Sequence, residues 1–146
     1  MSGAGEGSAA GQDLDRLLDV LVQLSVDFLG KRGAFVPHAA TFDNAGELRF
    51  GMAEAGDDAT EVEHLELLRA SLRQEAARGE IRACGIAVDV TIEDEEGNDA
   101  DAIRVELDHR DEEAVVVIVP YERGERGYAV GEPAAYLSDE PVFSPG

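Results

Sequence analysis

A chain of 146 residues with 44% hydrophobic side chains is long enough for one domain with its own apolar core, needing neither metal nor disulfide to hold it. Its 32 acidic against 12 basic side chains give a net charge of −20, a field that repels nucleic-acid phosphates and anionic membranes alike. One cysteine, Cys84, excludes an internal disulfide, and the absence of a charged-then-apolar leader or a membrane-length apolar run points to a cytoplasmic chain.

The acidity has two bland origins. A GC-rich genome and a salt-adapted cytoplasm both favour carboxylates and disfavour lysine, and Lys31 is the only lysine here. Net charge therefore speaks to solubility and association before it speaks to a particular site.

Residues Met1–Gln12 are small or polar and are expected to be disordered, leaving 13–146 as a single α+β domain. The glycines Gly3, Gly5 and Gly7 follow no strand, so they fail the context test for a phosphate loop. From Asp13 to Leu29 the periodicity is helical, with Leu14, Leu17, Leu18, Leu21, Leu24 and Phe28 on one face. Asp13 is the expected N-cap and Gly30 the expected stop, with Lys31 and Arg32 favoured at the C-terminal end. Ala34–Phe42 and Glu47–Met52 read as a hairpin joined by Asp43-Asn44-Ala45-Gly46, with Pro37 interrupting the first strand.

Thr60 and Glu63 form a capping-box pattern, followed by a helical face of Val62, Leu65, Leu68, Leu72 and Ala76 that ends at Arg78-Gly79. Three strands then follow without an intervening helix: Ile81–Ile92, Ala102–Arg110 and Ala114–Tyr121. The first carries bulky Ile86, Val88, Val90 and Ile92 on one side and small Ala83, Gly85 and Ala87 on the other, which predicts a helix packed close on the small side. In the second, Ile103, Val105 and Leu107 alternate with Arg104, Glu106 and Asp108, the pattern of a strand wet on one face. The third is continuously apolar and is expected at the centre of the sheet. Tyr128, Val130, Tyr136, Leu137, Val142 and Phe143, set among Gly and Pro, predict an extended C-terminal tail lying on the core.

The order α-β-β-α-β-β-β over about Asp13–Tyr121 resembles the roadblock and profilin-like architecture, which implies a five-stranded antiparallel sheet with helices packed on it. The continuous apolar run of Ala114–Tyr121 beside the one-sided second and fourth strands predicts the strand order 2-1-5-4-3. Across most of the chain there is also a likeness to uncharacterised small bacterial proteins of unknown function. It is carried by Phe35-Val36-Pro37, Gly46-Glu47, the run Asp101–Arg110 and Pro120-Tyr121, with His38 and Asp108 departing from that pattern. Neither likeness supplies an activity.

No catalytic residue, cofactor or metal site is assigned by motif. His38, His64 and His109 lack metal-ligand spacing, and no Gly-x-Ser-x-Gly elbow is present. Cys84 sits inside a strand, where a thiol is usually a small hydrophobe. The best ligand-binding candidates are His38, Glu47 and Arg49 on the first hairpin. Glu93, Asp94, Glu95, Glu96, Asp99 and Asp101 form a dense acidic segment whose spacing does not fit a calcium loop. It predicts a solvated hairpin tip or a docking face for a basic protein.

These observations point first to a non-catalytic protein-interaction module, acting with a protein partner or as a homodimer. Two alternatives remain open. One is a small enzyme or ligand-binding domain with a pocket near His38. The other is an acidic, immunity-type inhibitor of a basic protein.

Overall fold

The computed structural model describes residues 9–52, 60–138 and 142–143. The chain is α+β, in the order α1 (Ala9–Arg32), β1 (His38–Asp43), β2 (Leu48–Met52), α2 (Glu61–Ala77), β3 (Ile81–Glu93), β4 (Asp99–His109), β5 (Glu112–Gly124), β6 (Gly127–Val130) and β7 (Ala134–Leu137).

Helix α1 starts at Ala9, ahead of the expected cap, because the apolar face continues back to a buried Ala10. Part of the segment expected to be disordered, 9–12, is therefore helical, while residues 1–8 lie outside the described residues. Asp13 is not the N-cap; its carboxylate is used in a tertiary contact instead. The helix runs through Gly30 and closes at Gly33, whose φ of 77° lets its N–H reach the Leu29 carbonyl at 2.8 Å. Helix α2 has the predicted capping box, with Thr60 accepting from the Glu63 N–H and the Glu63 carboxylate accepting from Thr60.

Among the described residues every strand pairing is antiparallel, and the sheet has seven strands, not five. The order is β2-β1-β3-β4-β5, with the outer edge of β5 shared between β6, which pairs with Tyr121–Gly124, and β7, which pairs with Val115–Ile118. The expected order 2-1-5-4-3 is not found: β1 pairs with β3, and β3 and β4 hold the centre in place of β5. The long apolar run of β5 is accommodated by the two short tail strands, which the Gly- and Pro-rich sequence around them had concealed. Pro37 precedes β1 rather than interrupting it.

Two apolar layers lie on the two faces. On one, α1 buries Leu17, Leu21 and Leu29 against Ala40, Phe42, Ala83, Ala87, Ile103, Val105, Leu107 and Val117. On the other, Leu68 and Leu72 of α2 pack on Ala39, Cys84, Ile86 and Val88, joined by Val142 from the tail. The two faces of β3 supply both layers, small residues under α1 and bulky ones under α2, as its sequence predicts.

Strand β4 is a correction. Glu106 and Asp108 are buried, so its C-terminal half is covered on both faces. Arg69 from α2 donates two bonds to Glu106, Arg104 donates to the same carboxylate, and Asp108 accepts the Val142 N–H at 2.9 Å. Pairing of this kind is what makes an interior carboxylate tolerable. No helix among the described residues is long and apolar enough to cross a membrane.

Candidate functional site

The chemically versatile side chains are held inside the protein, and their partners define what they can do. His38 lies between Phe28 and Phe35, each ring edge-on with centroids 5.2 Å away. The Val36 carbonyl, 3.0 Å from Nδ1, assigns the ring proton to that nitrogen, and Nε2 lies 3.2 Å from Ser25 Oγ. Ser25 Oγ is 2.7 Å from the Leu21 carbonyl and has no exposure to solvent. Burial lowers the His38 pKa, which keeps the ring neutral near pH 7. This buried Ser–His pair ties α1 to β1.

His109 accepts the Asp111 N–H at Nδ1 (3.0 Å), so Nε2 carries the proton and donates to Asp13 (3.0 Å). Arg82 donates to both oxygens of the same carboxylate, each at 2.9 Å. Burial alone would raise the Asp13 pKa, but the bonds from Arg82 and His109 outweigh it and hold the carboxyl below its ordinary range. The trio joins α1, β3 and β4 as a structural staple. Cys84 is buried, and burial, followed by the nearby charges of Asp108, Glu75 and Glu106, pushes its thiol well above the usual range. It is a protonated core residue and not a nucleophile. His64 stands apart on α2, and no three metal-ligating side chains converge among the described residues.

The acidic segment forms the tip of the β3–β4 hairpin. Asp94 Oδ1 accepts the N–H groups of Glu96 and Asn98, both at 2.9 Å, and Gly97 takes φ 82°. Glu93 and Asp99 face each other across the ladder, and Glu95, Glu96 and Asp101 are exposed, as expected for a solvated tip.

His38, Glu47 and Arg49 do not converge. His38 points into the α1 layer, while Glu47 is exposed at the turn, its backbone N–H bound by Asp43 at 2.9 Å. Arg49 lies opposite Thr41 on the α2 side of the sheet, 3.5 Å from Asp43. What the hairpin does present is an open sheet edge. The bond from Asp43 N–H to the Glu47 carbonyl (3.1 Å) sets the phase of the ladder. Alternation then directs the backbone groups of Arg49 and Gly51 toward β1, and those of Leu48, Phe50 and Met52 outward, where no strand among the described residues receives them.

The side chains of Leu48, Phe50 and Met52 share the α1 face with their partners Phe42, Ala40 and His38. Leu48 reaches the core, but α1 crosses β1, β3, β4 and β5 without reaching β2. Phe50 is therefore 58% exposed and Met52 48% exposed. Next to Met52 an apolar hollow of about 250 Å³ is lined by Phe28, Phe35, Val36 and the Arg32 side chain. On the opposite face a groove of about 440 Å³ runs between α2 and β2, lined by Thr41, Arg49, Gly51, Leu67, Ser71 and Glu75. Leu67 is 48% exposed there.

The edge position of β2 was implicit in the expected strand order. The exposure of its apolar face was not, because alternation reads the same whether or not a helix lies above it. Compared with known proteins, the chain matches no family, no curated protein and no solved structure.

Proposed function

We propose that this chain is a protein-interaction module whose contact surface is the β2 end of the sheet. The observation that carries this reading is the conjunction at β2: outward backbone groups at Leu48, Phe50 and Met52, and apolar side chains exposed beside them. Unpaired strand edges recruit another strand, and exposed apolar side chains supply the contact area. The charge of −20 favours a partner other than nucleic acid or an anionic membrane.

Amide hydrogen exchange of the purified chain, with and without native host extract, tests the reading. Slowed exchange at Leu48, Phe50 and Met52 supports it. Slowing confined to Glu93–Asp101 would move the contact to the acidic tip and favour the immunity-type reading. A ligand-binding reading is favoured by the apolar hollow bordered by Phe28 and Phe35, the rings that enclose His38. A small molecule that raises the melting temperature and perturbs Val36 would establish it in place of the first.

A further inference from the structure

Resting on that reading, we infer that the occupant of the β2 edge is a second copy of this chain, paired antiparallel through a two-fold axis at Phe50. The strand is self-complementary in this register. With Phe50 opposite Phe50 of the second copy, Leu48 falls opposite Met52, and all three are the residues whose N–H and C=O groups point outward. Each facing pair therefore exchanges two backbone hydrogen bonds. Their side chains lie on one face, so the row Leu48, Phe50, Met52 continues into the same row reversed, covering the two most exposed apolar groups of the hairpin.

The other face is also compatible. Arg49 falls opposite Gly51, so the cation meets an absent side chain, whereas a register centred on Arg49 would set two guanidinium groups against each other. On that face Leu67 of α2, exposed beside Gly51, is brought toward the axis and adds area that a five-residue strand alone lacks. Since each copy carries −20, association is opposed by long-range repulsion that salt screens.

Sedimentation analysis at about 100 μM should give twice the 15.6 kDa chain mass, with dissociation at least tenfold weaker in 1 M than in 0.05 M NaCl. Phe50→Lys should weaken association at least 100-fold while leaving the melting temperature of the monomer near that of the parent, because Phe50 is mostly solvent-facing in the single chain. Tyr136→Lys, on the opposite edge strand β7, should leave the mass doubled.

In a Cys84→Ala background, Phe50→Cys should cross-link to itself on mild oxidation, its Cα atoms being about 5.5 Å apart in such a pair, within disulfide reach. Arg49→Cys should not. Preferential cross-linking of Arg49→Cys, or loss of the dimer in Tyr136→Lys, would overturn the inference. So would a mass of 15.6 kDa at every concentration and salt. A monomer whose Leu48, Phe50 and Met52 amides become protected by another protein would refute the self-pairing and leave the interaction module standing. A monomer in which nothing protects them would refute both.

Discussion

At Gly85, α1 lies close against the sheet. A Cβ placed there would lie 2.6 Å from Leu21 Cδ1, 3.0 Å from Leu107 Cδ2 and 3.3 Å from the Glu106 carbonyl oxygen. Its backbone is not in the left-handed region, so replacing it tests packing alone. Leu21 has a mobile tip, but it is fully buried, and moving it displaces its neighbours in the α1 layer.

Overpacking of this kind costs about 1–3 kcal/mol, offset by about 0.4–1 kcal/mol because alanine restricts the unfolded chain more than glycine does. Gly85→Ala should therefore lose about 1–2 kcal/mol, lowering the urea midpoint by about 0.5–1 M with an unchanged m-value. Gly85→Leu should lose more. The mechanism is isolated by Leu21→Ala. Alone it leaves a cavity costing about 2–5 kcal/mol, but combined with Gly85→Ala it frees room for the new methyl, so the double variant should be about 1 kcal/mol more stable than the sum of the two losses. A Gly85→Ala midpoint equal to the parent's, or strict additivity in the double variant, would refute the close approach.

Other expectations follow from the polar interior and the charge. Asp13→Asn leaves Arg82 and His109 without their carboxylate and should cost about 1–3 kcal/mol at pH 7 by urea unfolding. Because the folded pKa of Asp13 is depressed, its contribution is full above the unfolded value of about 3.9 and fades as pH falls through the folded one, so the gap between parent and variant should close only in that acid window. Cys84 should resist thiol reagents at pH 8 in the native state and react at once in urea; rapid native labelling would contradict its burial. The melting temperature should rise with NaCl as repulsion within Glu93–Asp101 is screened, and a flat or falling curve would show those acids to be already compensated.

Features decided within a few residues were legible in the sequence. The Thr60–Glu63 capping box and the small and bulky faces of β3 are local patterns with one structural solution. The role of Asp13 is not legible locally, because its partners lie 69 and 96 residues away and a lone acid before a helical run looks like a cap. Glu106 and Asp108 read as solvated in the sequence because alternation cannot distinguish water from an arginine of α2, as at Glu106, or a backbone N–H of the tail, as at Asp108. The strand order is not fixed by local pattern, because β1 could pair with either an all-apolar strand or one with a small-residue side. The choice falls to β3, the strand that follows α2 directly, whose small face lets α1 span both. At the site, the hairpin and its edge position were readable, whereas the bare apolar row at Phe50 and Met52 depended on where α1 stops.

The staple formed by Asp13, Arg82 and His109 also bears on the order of folding. The β3–β4 and β4–β5 hairpins close over a few residues each, so they can form with little loss of chain entropy. The contact between Asp13 and His109 must close 96 residues of chain, and it is available only once that meander exists to receive α1. A contact absent from the transition state slows escape from the native state without hastening entry to it. In a chevron plot, Asp13→Asn should therefore speed unfolding and leave the refolding limb almost unmoved. Slowed refolding in proportion to the stability lost would instead place the docking of α1 before the rate-limiting step.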